Sequence, residues 1–266
     1  MSAVFLNDRP LDAVVSAIIG LEGYLSPDVR STEVVPLANR AALFGTTVTV
    51  SPRTITVMVD VETPQLIDRA TMLDALSRRL RGRMALRIAD RPDREIDVVC
   101  QGTALTFYHA PLAVVACTVT LTFVAADPAW RDRDPLAYAL STSRTACPLG
   151  TAPSAPVVTL YGGTVVDPVV IMRAGSGEET GRLTLAGTLA STDAIVIDAG
   201  AQSMQRYVSG VLQTGSASGL TWLTSGVFPL LDPDDADADA AQWPTVELSA
   251  TSGTPTGLLT YTRRWS

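Results

Sequence analysis

Val114-Val115-Ala116-Cys117-Thr118-Val119-Thr120-Leu121-Thr122-Phe123-Val124 decides the fold class. From Cys117 onward apolar residues take every second place with threonine between them, the period of a strand with one face buried and one wet. The stretches before it repeat the pattern. Gly102 to His109 reaches it through Ala110-Pro111-Leu112, predicting a hairpin. Met84 to Ile88 and Glu95 to Gln101 flank Asp90-Arg91-Pro92-Asp93-Arg94, a turn built on Asp and Pro. Thr46 to Val50 and Thr54 to Val61 flank Ser51-Pro52-Arg53, which predicts a third hairpin with Thr47, Thr49, Thr54 and Thr56 on its polar face. Val, Thr and Ile suit a pleated, half-buried surface, so the chain is mainly β.

One helix interrupts the strands. Leu66, Ile67, Ala70, Leu73, Leu76 and Leu80 recur at three- and four-residue steps, Thr63 is placed to cap, and Pro64 suits the first helical position. This predicts a helix over 64–81, stopped by Gly82. Arg78, Arg79 and Arg81 crowd its last turn, where the helix dipole favours cations.

Downstream, Asp127-Pro128-Ala129-Trp130 closes the long strand, and the Ser-, Thr-, Ala- and Pro-rich stretch to Ser154 reads as a linker. The expected domains are 1–145 and 146–266. In the second, short strands follow at close spacing: Pro156 to Tyr161, Val169 to Ala174, Arg182 to Ala186, Ala194 to Asp198, Met204 to Val208, Val246 to Ala250 and Gly257 to Arg263. Gly-, Ser- and Asp-rich turns separate them, the rhythm of a β-sandwich.

Composition bounds the function. The 266 residues are 47% hydrophobic and only 18% charged, so there is more apolar surface to cover than one copy commonly manages, and a second copy is the expected cover. All basic residues are arginine, and the net charge of -7 argues against gripping a nucleic-acid backbone. No run of 18 apolar residues predicts a membrane span, and the first twenty residues lack the pattern of a secretory signal. Cys100, Cys117 and Cys147 have neither paired number nor metal spacing, which predicts buried free thiols.

Candidate chemistry is sparse. His109 is the single histidine, at a predicted hairpin tip, and no Gly-x-Ser-x-Gly elbow is present, so no catalytic residue is assigned. Without lysine there is no phosphate-cradling loop, and no cofactor is expected; Gly162-Gly163 and Gly175-Ser176-Gly177 read as turns. Asp235, Asp237 and Asp239 are spaced like the first ligands of a calcium loop, but Ala240 stands where the turn glycine belongs and Val246 where the bidentate carboxylate belongs. A solvated acidic loop is the expected reading, with those three as the only metal candidates. Trp130, Trp222, Trp243 and Trp265 could stack on a sugar, though tryptophans this sparse more often anchor cores.

The order of motifs resembles the distal tail protein family of phages with long non-contractile tails. The resemblance runs from Ile19-Gly20-Leu21-Glu22-Gly23-Tyr24 through Val29-Arg30, Glu33-Val34-Val35-Pro36-Leu37-Ala38-Asn39-Arg40 and Pro52-Arg53-Thr54-Ile55-Thr56-Val57. It continues with Leu76-Ser77-Arg78-Arg79-Leu80, Asp90-Arg91-Pro92-Asp93-Arg94, Leu121-Thr122-Phe123 and Asp127-Pro128-Ala129-Trp130, then Gly150-Thr151-Ala152-Pro153-Ser154-Ala155-Pro156 and Val246-Glu247-Leu248. The family often has Pro-Gly-Arg where this chain has Leu37-Ala38-Asn39-Arg40, and Gly where it has Ser51. The resemblance implies an N-terminal ring-forming domain of barrel-like or split-barrel form carrying the helix, and a C-terminal galectin-like sandwich. It implies a structural virion protein, a homohexameric ring at the distal end of the tail that joins tube protein to tip hub, lets DNA pass and mounts fibres or receptor-binding proteins, assembled in the host cytoplasm. It implies no catalysis, no membrane insertion and no specific nucleic-acid binding. Two rival expectations are a carbohydrate- or receptor-binding tip module and a hydrolytic tail enzyme.

Overall fold

A strand of 17 residues, Arg91–Phe107, organises the first half of the chain. The computed structural model describes residues 3–25, 30–36, 44–107, 116–214, 222–226, 228, 230–231 and 243–265, with backbone alone for 30–36, 44–50 and 107. His109, the 110–112 turn and Asp235, Asp237 and Asp239 lie outside the described residues. The chain is mainly β and divides into two units, Met1–Arg131 and Asp132–Trp265.

In chain order the first unit holds β1 (Val4–Leu6), β2 (Arg9–Pro10), β3 (Ala17–Glu22), β4 (Arg30–Pro36), β5 (Phe44–Val50), β6 (Arg53–Glu62), α1 (Leu66–Arg79), β7 (Arg83–Ile88), β8 (Arg91–Phe107) and β9 (Ala116–Ala125). Its main sheet runs β2-β1-β7-β8-β9-β6-β3, with each neighbouring pair antiparallel. Alternation fixes the two faces. Ile55, Val57, Val59 and Val61 of β6 and Val119, Leu121 and Phe123 of β9 are buried on one face, each such aliphatic side chain contributing about 1.5–3 kcal/mol. Threonines alternate with them along β9, and Thr56, Met58 and Asp60 along β6.

Three expectations are corrected here. β5 pairs with β4, not with β6, so Ser51-Pro52 links a two-stranded ribbon to the main sheet instead of turning a hairpin. Glu95–Gln101 and Gly102–His109 are not separate strands: β8 runs through, and Gly102 marks a bulge opposite β9. The helix is capped by Gln65 without a side-chain bond, because Thr63 donates its hydroxyl to the Gln65 carbonyl (2.8 Å). Leu76 is the buried residue of α1, while Leu66 and Ile67 in its first turn are 52% and 67% exposed. Gly82 at φ +76° does end it.

The stretch read as a linker also carries strands: β10 (Trp130–Asp132), β11 (Leu136–Leu140) and β12 (Thr145–Ala146). β11 pairs with β23 (Thr256–Tyr261) along its whole length, so the second unit starts at Asp132, earlier than composition suggested. The unit continues with β13 (Val157–Tyr161), β14 (Val165–Val166), β15 (Val169–Arg173), β16 (Glu179–Leu185), β17 (Thr188–Leu189), β18 (Asp193–Asp198), β19 (Ser203–Val208), β20 (Val211–Leu212), β21 (Leu223–Gly226), β22 (Thr245–Ser249), β23 and β24 (Arg264–Trp265). Sheets β11-β23-β13-β18-β19-β20 and β12-β22-β15-β16-β21 enclose one core. Val158, Leu160, Ile195, Ile197 and Leu259 of one sheet meet Val170, Met172, Leu183, Val246 and Leu248 of the other, which makes the unit a sandwich. Of the two glycine-rich turns, Gly177 takes a positive φ (+89°), whereas Gly162 is required by close approach: a Cβ there would lie 1.6 Å from the Ala190 carbonyl oxygen.

Candidate functional site: an open sheet edge and its faces

Four strands of the first unit stand level with one another. Reading across from β3, Ala17, Asp60, Thr118 and Thr106 form one row; Gly20, Met58, Thr120 and Ala104 the next; Glu22, Thr56, Thr122 and Gly102 a third. These rows share the half-wet face, and the charged residues within them are the carboxylates Asp60 and Glu22; Glu62 lies on the same face of β6, and Arg83 on the same face beyond β8. Thr118 donates to the Asp60 carboxylate at 2.7 Å. On the opposite face Ile18, Val59 and Val119 are buried, but Leu105 in the same row on β8 is 49% exposed.

That exposure marks the end of the slab. β7 pairs with β8 over Arg91 to Val99, and beyond it Gln101 to Thr106 are exposed on both faces although β9 pairs with them from the other side. β8 has a third partner, β10, whose Arg131 reaches Glu95 and Asp97 in the first half of the strand; among the described residues no strand pairs with Gly102 to Phe107 on the side away from β9, and β3 likewise ends the sheet. Residues 100–107 carry no charge, and the device that guards this edge among the described residues is the bulge at Gly102.

Where β7 stops and the open edge starts there is a cleft of about 440 Å³, floored by Val98, Val99 and Val124 and rimmed by Arg83, Gln101 and Asp127. Arg83 salt-bridges Asp97 yet leaves 74% of its side chain exposed. Arg131 clamps the same carboxylate and Glu95 at 2.7–3.1 Å, so the sheet is cross-braced beside the cleft. At the matching end of β3, Gly23 (φ +80°) turns the chain away, and the Tyr24 carbonyl is held by Arg53 (3.4 Å) and the Trp130 indole (3.3 Å).

The tryptophans are occupied. Trp130 is buried; the Trp265 indole donates to Asp132 (2.9 Å); Trp243 packs against the sandwich core; Trp222 has the Arg206 guanidinium over its ring at 4.4 Å and Gly187 packed against it. Among the described residues no group of His, Cys, Asp and Glu is arranged to hold a metal, and no helix is long and apolar enough to cross a membrane. Cys117 and Cys147 are buried and Cys100 is half-buried. Burial pushes the Cys147 thiol up to about 12, and raises Cys117 and Cys100 as well. The sequence pattern did not reveal the open edge, since no periodicity shows which strand lacks a neighbour.

Together the two units define a class: a mainly β chain whose first unit is an open-edged sheet with one helix and whose second is a sandwich. Among solved structures, the crystal structure of the SPP1 Dit protein, described as a paradigm of the hub adsorption apparatus in phages infecting Gram-positive bacteria, has the same fold over the whole of both chains, at a TM-score of 0.72 and 14% identity. Two structures of the phage P2 baseplate in its activated conformation, with Ca and with Sr, align less closely, at TM-scores of 0.42 and 0.44 and 7% identity, covering 92% and 97% of this chain and 89% and 98% of theirs. No protein-family model and no curated protein matches the sequence significantly. The chain has the Dit fold.

Proposed function

We propose that the chain is a structural protein of a phage tail tip, a distal tail protein of a siphovirus-type virion, whose first unit assembles with further copies into a hexameric ring. The observation that carries this is the level four-stranded slab, uncharged along its open β8 edge and bounded by β3 on the other side. Strand edges of this kind pair with another chain, and a slab whose two edges differ joins head to tail, the contact that closes into rings. The Dit fold over the full chain supports the same reading.

In this ring the threonine and carboxylate face lines the channel. Its described carboxylates, Asp60, Glu62 and Glu22, repel a passing DNA backbone and its hydroxyls offer neutral contacts, so nucleic acid slides without binding. One face of the ring meets the tail tube protein and the other the tip hub, while the sandwich mounts fibres or receptor-binding proteins. The work is mechanical, with assembly in the host cytoplasm and residence at the distal end of the tail.

The test is imaging of the purified protein by electron microscopy alongside its mass by light scattering. Rings with a central opening are expected; a monomer at high concentration overturns the assignment.

A further inference from the structure

We infer that the outer face of the sandwich sheet β11-β23-β13-β18-β19-β20 binds a neutral oligosaccharide, stacked on the rings of Tyr161 and Tyr207. The inference goes beyond the ring reading above and rests on it only for where the sugar is met, the surface that a tail tip touches.

The two outer faces of the sandwich differ in charge. On β12-β22-β15-β16-β21, Arg144 and Arg173 donate to Glu247 (3.2 and 2.9 Å) and Arg182 to Glu179 (2.8 Å). Arg182 and Glu247 stand directly opposite Ile171, which is only 6% exposed although it points outward. That face is closed on itself. On the other sheet the strands stand level in three rows, from the row of Val157 to the row of Tyr161, and the one charged residue in them is Asp198. No residue of these rows is buried, so among the described residues nothing covers them.

Size selects the kind of ligand. Six strands and five residues along each give a face of about 24 by 17 Å, roughly 400 Å². A stable protein partner needs about 800 Å² on each side, so this patch is half the size for a protein and suits a few sugar rings.

Geometry selects the sugar. The last row reads Thr256, Tyr161, Ala194, Tyr207 and Leu212. Two aromatic rings thus flank the methyl group of Ala194, two strand spacings or about 10 Å apart. Alternate sugars of an extended pyranose chain are spaced alike, and the C–H-rich face of a pyranose packs on the negative face of an aromatic ring. Tyr161 is 44% exposed. The Tyr207 hydroxyl donates to Gln205 Oε1 at 2.9 Å, which steadies the ring and leaves the Gln205 amide hydrogens for a sugar hydroxyl. Thr159 adds a hydroxyl in the next row. With no arginine in the rows, the face has nothing to clamp a phosphate or a uronate, so the ligand is uncharged.

The experiment titrates the full chain with cellohexaose and with chitohexaose by isothermal titration calorimetry, with polyglycerol phosphate as the charged alternative. Binding of a neutral hexasaccharide is expected, weakened about tenfold in Tyr161→Ala and in Tyr207→Ala. Ala194→Leu, which fills the gap and keeps both rings, weakens it similarly. Tyr161→Phe keeps the ring, Arg182→Ala lies on the opposite face, and each changes binding less than about twofold. Circular dichroism on every variant separates a lost site from a lost fold. No binding of either hexasaccharide, binding untouched by the alanine and leucine variants, or a preference for polyglycerol phosphate overturns the inference. Rings that bind no sugar leave the ring reading standing, and a monomer that binds sugar keeps this site while overturning the ring.

Discussion

Asp132 fastens the two ends of the second unit, and its removal gives a calculable loss. It opens the unit in sequence, its side chain is 8% exposed, and it accepts from Arg263 Nε and from the Trp265 indole at 2.9 Å. Its own N–H donates to the Arg263 carbonyl at 3.0 Å, which a substitution leaves in place. In Asp132→Ala both side-chain donors lose their acceptor. A hydrogen bond between charged groups contributes about 1.5–3 kcal/mol and one to a neutral donor about 1 kcal/mol. The Arg263 side chain is 34% exposed and recovers part of its share from water, so the net loss is about 2–3 kcal/mol. For a unit of this size that lowers the melting temperature by about 8–12 °C. Asp132→Asn keeps one acceptor and loses about half as much. The assay is thermal unfolding followed by tryptophan fluorescence, since Trp265 reports on the site directly. A fall of under about 2 °C for Asp132→Ala, or an Asn variant as damaged as the Ala variant, refutes the reasoning.

Two further outcomes follow from burial and charge. With a thiol-reactive dye at pH 8, Cys100 labels first, while Cys117 and Cys147 label only on unfolding; rapid labelling of Cys147, whose thiol burial pushes up to about 12, contradicts its packing. Burial pushes the Glu247 carboxyl up, but hydrogen bonds from Arg173 (2.9 Å) and Arg144 (3.2 Å) outweigh it and leave the group below the ordinary glutamate value. Its contribution is therefore complete above the unfolded value of about 4.3 and is lost as pH falls through the lower folded value. Acid titration of stability for wild type and Glu247→Gln is expected to converge below that window; curves that stay parallel contradict it.

The alternation of Thr118 to Val124 was legible because each face of that strand has one environment; the three- and four-residue steps of Leu66 to Leu80 revealed the helix but not its burial, since Leu76 is buried while Leu66 and Ile67 are exposed. The seven strands expected after Pro156 all form, most within one or two residues of their expected ends. What the sequence concealed was partnership. Ser51-Pro52 has turn chemistry in either case, yet β5 turns back to β4, because pairing is decided by non-local contacts that no dipeptide encodes. Gly102 looked like punctuation and is a bulge within one strand. The stretch after Asp132 looked like a linker because β11 is short and reads Leu-Ala-Tyr-Ala-Leu, whose small residues carry little strand signal until β23 lies beside them. The open edge, on which the candidate site depends, was invisible for the same reason: an unoccupied neighbour leaves no trace in composition.

β8 has a mechanical consequence as well. β7 grips its first half on one side and β9 its second half on the other, the overlap of a lap joint. Ladder bonds lie across the strands, so tension along β8 loads them in shear, and many must yield at once instead of unzipping singly. Force applied along this strand meets the strongest axis of the sheet, and force applied across it meets the weakest.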